Sequence, residues 1–334
     1  MRILIVGIGS KLHLEIAWVR AFKTLGYEAE IFSFDYHLHN YSKYIIQRTL
    51  FFTEEVNKKL VSFSEQYKPD IVFLFRALLV KPKTVDKLKF MGSKVVFHNT
   101  DNCFIQQRKK YWDFHLNSIV KYDHIFAYRE SCRNEYIAYG AKSCSVLKPY
   151  YVPWIHFNEK IPSFDEREFD ICFIGHCEKD FRIEAVNNLI SKSKFKILIA
   201  GKNWLYLNGK YKFHKFSDSG IPNMAYRNAI ANSKIALTFF SFTNKDLYTR
   251  RVYEIPAAGT PLASPITIPM LSIYSASECV YFSNQWDILE NIYPVLNSRE
   301  LWSRYLKNIR EVNSQESYNI IGRAKEFINQ IESL

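Results

Sequence analysis

The chain of 334 residues lacks paired cysteines, because its six cysteines contain no Cys-x-x-Cys spacing. This argues against a zinc-ribbon site or a disulfide framework and favours free thiols in the cytosol. No apolar run reaches about 18 residues, so no membrane-spanning helix is expected. The apolar run that begins at Ile3 is shorter than the roughly 7–15 residues of a secretory signal and is typical of a buried parallel strand.

The formal net charge of +12 lies mainly in the first half of the chain. Residues 1–160 contain 24 Lys and Arg against 15 Asp and Glu, whereas the remainder contains 21 against 18. Basic surfaces attract nucleic acid, anionic lipid headgroups or phosphorylated substrates, and the alternative is a set of ordinary solvated helix faces. The clustered basic residues are Lys81, Lys83, Lys87, Lys89 and Lys94, followed by Arg108, Lys109 and Lys110.

Both halves of the chain alternate short apolar strands with helices of amphipathic spacing. Asp70–Phe75 is a predicted strand of the first half, and Asp170–Gly175 and Lys234–Phe239 are predicted strands of the second. Such alternation predicts an α/β protein with two doubly wound, Rossmann-like parallel sheets in facing domains and a substrate cleft between them. The predicted parts are an N-terminal domain (1–150), a linker (151–168), a C-terminal domain (169–312) and a C-terminal helix (313–334) that returns to the first domain.

The first predicted strand is followed by Gly7-Ile-Gly9-Ser10, which is half of a dinucleotide-binding fingerprint. The complete pattern needs a third glycine where this chain has Leu12. Two interpretations are therefore open, a site for a nicotinamide dinucleotide and a tight turn that lets the backbone approach another ligand.

Polar residues follow another predicted strand in the stretch His98-Asn-Thr-Asp101-Asn102. Folds of this class keep reacting groups at the carboxyl ends of strands, so His98 or Asp101 is expected to orient or deprotonate an acceptor hydroxyl. The alternative is that Asp101 or Asn102 caps the next helix.

Two glycine turns of the second half are also candidate ligand sites. Gly175 opens a turn that leads to Arg182, where backbone N–H groups and a basic side chain suit a diphosphate. Gly201-Lys202-Asn-Trp204 repeats this arrangement, with an indole that can stack on a base or sugar. The alternatives are that Arg182 is a surface residue and that Trp204 packs in the core.

The stretch from Asp246 to Ser264 combines two acidic and two basic residues with a run of small apolar residues. Glu254 stands directly before Ile-Pro-Ala-Ala-Gly, either as a solvated residue at a helix start or as a group that faces a ligand rich in hydroxyls and phosphate. A helix over Arg251–Ala258 is predicted, with Pro256 early in it, where a missing N–H costs little. The start of such a helix favours anions.

These residues resemble a known pattern. Asp246 and Glu254 stand at the two positions of the E-x7-E motif of retaining, family-four-type glycosyltransferases of the GT-B fold, and Glu254 begins a Glu-x-x-Ala-x-Gly-x-Pro run. Arg251-Val-Tyr-Glu254, with the Gly175-to-Arg182 and Gly201-to-Trp204 turns, is similar to the CgeB-like group of such enzymes. The resemblance covers the second half of the chain, and in the first half it extends only to general organisation.

The resemblance implies transfer of a sugar from a nucleotide-sugar donor, UDP- or GDP-linked, without a cofactor or metal. It implies that Glu254 hydrogen-bonds the donor ribose, that Asp246 faces the transferred sugar, and that Arg182 and Arg251 neutralise the diphosphate. Asp246 is one methylene shorter than the Glu of the pattern. The expected donor-binding residues are Gly9, Ser10, Gly175, Arg182, Gly201, Lys202, Trp204, Arg250, Arg251, Tyr253 and Glu254, and the expected catalytic residues are His98, Asp101 and Asp246.

The basic first domain is then expected to hold a glycan, lipid-linked or protein acceptor, in the cytoplasm and at an anionic membrane surface, for the synthesis of cell-surface polysaccharide. A different class of function is a GT-B-shaped module that binds glycans or nucleotides without turnover. A nucleic-acid-binding function ranks last, because no motif for it is present and 33 acidic residues dilute the basic ones.

Overall fold

The computed structural model describes residues 1–7, 14–37, 53–104, 112–178, 180–204, 215–217, 221 and 223–334. The chain divides into two compact units, one made of residues 1–148 and 320–334 and the other of residues 149–319. Residues 151–168, expected as a linker, are therefore part of the second unit. The C-terminal segment that belongs to the first unit starts at Ile320, later than the expected position 313.

The first unit contains a six-stranded parallel sheet in the order β2-β1-β3-β4-β5-β6. Its strands are β1 (Arg2–Gly7), β2 (Glu28–Ser33), β3 (Ile71–Phe75), β4 (Lys94–Asn99), β5 (His124–Ala127) and β6 (Cys144–Val146). Its described helices are α1 (Leu14–Thr24), α2 (Phe34–His37), α3 (Thr53–Tyr67), α4 (Pro82–Phe90), α5 (Asp113–Leu116), α6 (Glu130–Ala138) and, at the C-terminus, α14 (Ile320–Glu332).

Both faces of this sheet are covered, which explains why its central strands are apolar at almost every position. One face carries a core in which Leu4, Val72 and Phe97 are fully buried. On the other face the ring of Phe327 from α14 lies 4.6 Å from the ring of Phe73. The C-terminal helix therefore completes the core of the first unit.

The second unit contains another six-stranded parallel sheet, in the order β12-β11-β10-β7-β8-β9. Its strands are β7 (Phe169–Ile174), β8 (Ile197–Ala200), β9 (Lys215–Ser217), β10 (Ser233–Leu237), β11 (Leu262–Pro265) and β12 (Val280–Phe282). Its described helices are α7 (Pro153–His156), α8 (Arg182–Lys192), α9 (Asn223–Ala231), α10 (Arg251–Ala258), α11 (Ile268–Leu271), α12 (Ile288–Asn297) and α13 (Arg299–Asn313). The predicted α/β class with two doubly wound parallel sheets is confirmed.

A buried arginine holds the end of α10 in the second unit. The Arg167 guanidinium donates to the carbonyls of Ser233 at 2.7 Å and Gly259 at 2.8 Å, and to the Thr260 hydroxyl at 3.0 Å. Gly259 ends α10 with a φ of 90°, and a Cβ there would lie 2.8 Å from the side chain of Ile161. The Arg167 guanidinium thus joins the end of α10 to the start of β10.

Within the described ranges, no helix combines the length and apolar character needed to cross a membrane.

We predict that Phe327→Ala destabilises the first unit by about 3–5 kcal/mol, because it removes a ring packed against Trp18, Phe22, Phe73 and Phe126. Urea unfolding followed by tryptophan fluorescence and circular dichroism measures the change. The matched control is Phe90→Ala, at a ring 94% exposed at the end of α4, which should change the unfolding free energy by less than about 0.5 kcal/mol. Equal effects of the two changes would contradict the packing role of α14.

Candidate functional site

The order of the second sheet places a ligand-binding position between two of its strands. In chain order, β7 is the first strand of this sheet, β8 and β9 follow on one side of it, and β10 lies on its other side. Ligands of doubly wound sheets bind outside the carboxyl ends of the strands at such a switch point. The described residues of the loops there are 175–178, 180 and 181, after β7, and 238–250, after β10.

The two loops are tied together by Arg182, the first residue of α8. Its guanidinium donates to the carbonyl of His176 in one loop and to the carbonyl of Phe240 in the other, at 3.0 Å each. It also forms ion pairs with Glu178 at 2.9 Å and Asp180 at 3.2 Å. The side chain is only 5% exposed, so the surface alternative is wrong. Its donors hold the loops that surround the switch point, which leaves it badly placed for the predicted diphosphate contact.

The two glycine turns approach each other closely. Gly201 has a φ of 144°, and a Cβ at this position would lie 2.0 Å from the Gly175 carbonyl oxygen, so only glycine fits. The Gly175 carbonyl also accepts a 2.7 Å hydrogen bond from the indole N–H of Trp204. Trp204 is 1% exposed and packs in the core, which corrects the prediction that it stacks on a base or sugar.

Two cations next to these turns have no ion-pair partner among the residues that the structure describes. Lys202 is exposed in the turn after β8, and Arg251 is half-buried at the start of α10. Partial burial, and then the charges of Arg251 and Lys202, lower the pKa of His176 below its ordinary value. Lys202 from the turn after β8 and Arg251 from the start of α10 thus create a positive region at the switch point.

Glu254 is buried one turn into α10. Its Oε1 accepts a 2.5 Å hydrogen bond from Arg250 Nε and lies 3.5 Å from His156 Nε2, and its Oε2 accepts a 2.8 Å bond from the Tyr226 hydroxyl. Burial alone would raise the pKa of Glu254, but the charge of Arg250, followed by His156 and the charge of Arg251, lowers it to about 2. The carboxylate is therefore ionised and already engaged, and the solvated alternative is wrong.

Two further predictions about α10 are corrected. Tyr253 is 1% exposed and its ring lies 5.4 Å from that of Tyr318, so it is a core residue rather than a donor contact. Pro256 is the sixth residue of the eight in α10 and lies inside the helix, beyond the first turn where a missing N–H has little cost.

Asp246 lies in the loop after β10 and is partly exposed. Its backbone N–H donates to the Ser241 carbonyl at 2.9 Å, and the Ser241 hydroxyl donates to Glu178 at 2.9 Å. The loop that carries Asp246 is thereby joined to the loop after β7. Its predicted contact with the transferred sugar stays a prediction.

The predicted acceptor residues lie at the carboxyl end of β4 in the first unit, in different environments. His98 is 3% exposed, its Nδ1–H donates to the Phe126 carbonyl at 2.8 Å, and its ring lies 5.5 Å from that of Phe75. It belongs to the core, which argues against the predicted role as a base. Asp101 is 38% exposed in its side chain, and one carboxylate oxygen lies 3.8 Å from the guanidinium of Arg76. Asp101 with Arg76 remains a candidate acceptor site.

Other predictions meet limits in the structure. Gly9 and Ser10 lie outside the described residues, as do Arg108, Lys109 and Lys110. In the first lysine cluster, Lys81 and Lys83 pair with Glu54, which lowers the pKa of that carboxyl to about 2. Two further lysines of the cluster contact protein groups: Lys89 pairs with Asp123, and Lys94 donates to the Ile331 carbonyl. The remaining one, Lys87, is exposed on α4. This cluster fits the alternative of ordinary helix faces.

Three residues of the site carry no motif and were not predicted: His156, His176 and Tyr226. Tyr226 and His156 lie far from Glu254 in sequence and meet it only in the fold. His176 follows Gly175 directly, so its position in the glycine turn was a usable signal. The described residues contain no group of three or more side chains suited to hold a metal ion.

The comparison with known families agrees with this geometry. Residues 181–329, which include Arg182, Lys202 and the whole of α10, match the family model described as "Glycosyl transferase-like". The match covers most of the second unit and part of α14, and it shows that this part of the chain is similar to glycosyl transferases. The predicted resemblance is thus confirmed at the level of glycosyltransferases, without singling out the CgeB-like group. No curated protein matches the chain in sequence.

Solved structures show the same architecture at low sequence identity. Sucrose-phosphate synthase from Thermosynechococcus elongatus is 9% identical, with a TM-score of 0.70 over 100% of this chain and 98% of that one. HepE from Anabaena in complex with UDP and glucose is 12% identical, with a TM-score of 0.68 over 100% of both chains. UDP-GlcNAc 2-epimerase from Neisseria meningitidis, bound to UDP-GlcNAc, is 13% identical, with a TM-score of 0.58 over 100% of both chains. These likenesses show the GT-B fold.

The environment of His98 predicts how stability depends on pH. Burial lowers its pKa from 6.5 to about 4, so between these values the unfolded chain binds the proton more tightly than the folded chain. The contribution of His98 to the free energy of unfolding is therefore fully present above pH 6.5, the pKa in the unfolded chain. It falls by about 3 kcal/mol as the pH drops toward 4. We expect His98→Phe, which keeps an aromatic ring in the core, to reduce that loss, measured by urea unfolding across this range.

The control for this prediction is the surface change Lys87→Gln, which should leave the slope of stability against pH as in the wild type. An unchanged slope in His98→Phe would show that His98 is accessible and titrates normally in the folded protein, and the core assignment would be wrong.

Proposed function

We propose that the protein is a glycosyltransferase that moves a sugar from a UDP- or GDP-linked donor, held by the second unit, to a glycan, lipid-linked or protein acceptor. The observation that carries the proposal is the positive region at the switch point of the second sheet, where Lys202 and Arg251 have no ion-pair partner in the described part of the chain. Cations placed there stabilise the charge that develops on a nucleoside diphosphate as the sugar leaves.

Several observations support a nucleotide-sugar ligand for this region. The glycosyl transferase-like match spans all of its elements except the loop after β7. The start of α10 adds a helix N-terminus to the two cations. The Anabaena and Neisseria structures contain UDP with glucose and UDP-GlcNAc, respectively. In this proposal Arg251 and Lys202 contact the diphosphate without a metal or cofactor, and Asp246 faces the transferred sugar.

Donor binding tests the proposal. Arg251→Gln and Lys202→Gln should each weaken binding of UDP or GDP about tenfold or more, because each removes a charge-assisted hydrogen bond to phosphate. Isothermal titration calorimetry measures the affinities, after a thermal-shift screen of UDP-, GDP-, dTDP- and CMP-sugars has identified the base. Arg304→Gln, at an exposed position on α13, is the matched control.

Turnover then separates the classes of function. A glycosyltransferase releases the nucleoside diphosphate only as an acceptor is glycosylated, with EDTA present or absent, and Asp246→Asn should lower kcat. Binding of a nucleotide sugar without turnover for any acceptor would favour the non-catalytic module. Conversion of the sugar without an acceptor would indicate an epimerase of the same fold.

We further propose that the acceptor is presented at an anionic membrane surface, on the cytoplasmic side, in the synthesis of cell-surface polysaccharide. Exposed apolar side chains on the loop after β10 and on α11 support this: Phe242 (81% exposed) and Leu247 lie on either side of Asp246, and Ile268 (86%) and Leu271 lie on α11. The hydroxyl of Thr267, which precedes α11, donates a 2.7 Å hydrogen bond to the Leu247 carbonyl and joins the two segments. Lys245, between Phe242 and Leu247, is also exposed. Apolar groups beside a basic residue suit the headgroup region of a bilayer.

The membrane proposal predicts that the double variant Phe242→Ser, Ile268→Ser binds vesicles of phosphatidylglycerol and phosphatidylcholine less than the wild type does. The reason is the loss of two apolar side chains that would enter the headgroup region. Co-sedimentation at low salt measures the binding. Phe90→Ser, at an equally exposed ring of the first unit, is the control, and a wild type that ignores such vesicles would exclude this part of the proposal.

A further inference from the structure

A cavity on the surface of the second unit lies between α8 and α12. It encloses about 350 Å³, which is within the range of small-molecule sites. Its α8 wall contains Asn188 and Lys192, which lie roughly 9 and 15 Å along the helix from Arg182. Because Arg182 lies at the switch point, this α8–α12 cavity is separate from the candidate donor site.

Two exposed aromatic rings form part of the opposite wall. Trp286, just before α12, is 58% exposed, and Tyr293, within α12, is 55% exposed. Large apolar side chains that stay exposed beside a concave surface are typical of interaction sites, because a ligand that covers them removes apolar area from water. The cavity therefore combines a concave shape with two rings that a ligand can cover.

The segment that carries the Trp286 indole is ordered by its own hydrogen bonds. The Trp286 backbone N–H donates to the Asn284 side-chain oxygen at 2.8 Å, and the Ser283 N–H donates to the Asp287 carboxylate at 2.9 Å. The Lys192 ammonium lies 5.9 Å from the centre of the indole ring. A ring that is already held in place loses little conformational freedom when a ligand stacks on it.

Hydrogen-bond acceptors that need donors lie beside the rings. Asn188 is 5% exposed, its Nδ2 lies 3.5 Å from the Gln285 carbonyl, and its Oδ1 accepts no hydrogen bond from the part of the chain that the structure describes. Pro294 lies inside α12 and has no N–H, so the carbonyl of Glu290, one turn earlier, lacks its usual helical donor. A ligand rich in hydroxyl groups supplies the missing donors.

We propose that the α8–α12 cavity binds a carbohydrate chain, with a sugar ring stacked on Trp286 or Tyr293 and sugar hydroxyls donating to Asn188 and Glu290. The C–H groups on the face of a sugar ring are attracted to the negative face of an aromatic ring. An apolar partner, such as a second copy that covers the rings, would leave the Asn188 oxygen buried without a donor, which is unfavourable. The inference goes beyond the proposed function, because the cavity is separate from the switch point and needs no nucleotide.

Binding to oligosaccharides tests the inference. The wild type should bind at least one member of an array of glucose, galactose, mannose, rhamnose and N-acetylglucosamine oligomers, and isothermal titration calorimetry then gives the affinity for that oligomer. Trp286→Ala should weaken the binding about tenfold, because it removes a stacking surface. Tyr293→Ala should weaken it in the same direction. Its matched control is Tyr139→Ala, at a ring 58% exposed in the first unit, which should bind as the wild type does.

The polar wall of the cavity has a test of its own. Asn188→Ala removes the acceptor for a sugar hydroxyl and should weaken binding of the same oligomer about fivefold. The matched control is Asn291→Ala, at an exposed residue of α12 outside the cavity wall, which should leave the affinity unchanged. Equal affinities of Asn188→Ala and the wild type would contradict the assigned hydrogen bond.

The outcomes separate this inference from the proposed function. Trp286→Ala should keep the wild-type affinity for UDP or GDP, and oligosaccharide binding through Trp286 by a protein that binds no nucleotide would leave only the proposed function wrong. The inference is wrong if no oligosaccharide on the array binds, or if Trp286→Ala binds as tightly as the wild type. It is also wrong if sedimentation velocity shows a wild-type dimer that Trp286→Ala dissociates, because the cavity is then an interface between copies of the chain.

Discussion

A carboxylate stays charged inside a protein only where counter-charges and hydrogen bonds replace the water it has lost, and Glu254 imposes this requirement on the second unit. The requirement is met by His156 from α7, Tyr226 from α9 and Arg250 at the start of α10. Helices α7 and α9 both pack against α10 as a result. Burial of this one carboxylate thus connects three helices of the second unit next to Arg251, which belongs to the candidate donor site.

Four arginines of this unit differ in role although the sequence does not distinguish them. Arg167 and Arg182 are buried, and they donate to backbone carbonyls of separate segments, so they hold the frame of the site together. Arg250 and Arg251 stand half-exposed at the start of α10, with donors left for a ligand. The difference comes from how many backbone acceptors the fold brings within reach, which no local pattern records.

The sequence predicted the frame well for a physical reason. Parallel strands covered on both faces must be apolar throughout, so β3 was recognisable within a residue of its ends, and the helix Arg251–Ala258 was predicted at its observed bounds. The site was predicted less well. Trp204 follows a strand in a suitable turn yet faces inward, and the partners of Glu254 are distant in sequence. Side-chain direction and long-range contacts depend on tertiary packing, which motif spacing does not encode.

The return of residues 320–334 to the first unit has a consequence for how the protein is made. One face of the first sheet is covered by α1 and by α14, whose Phe327 ring packs between the rings of Trp18 and Phe126. On the ribosome, that face has no α14 until all of residues 149–319 have been synthesised. The nascent first unit must therefore keep an aromatic surface uncovered while the second unit emerges, an interval in which chaperones are the natural protection against aggregation.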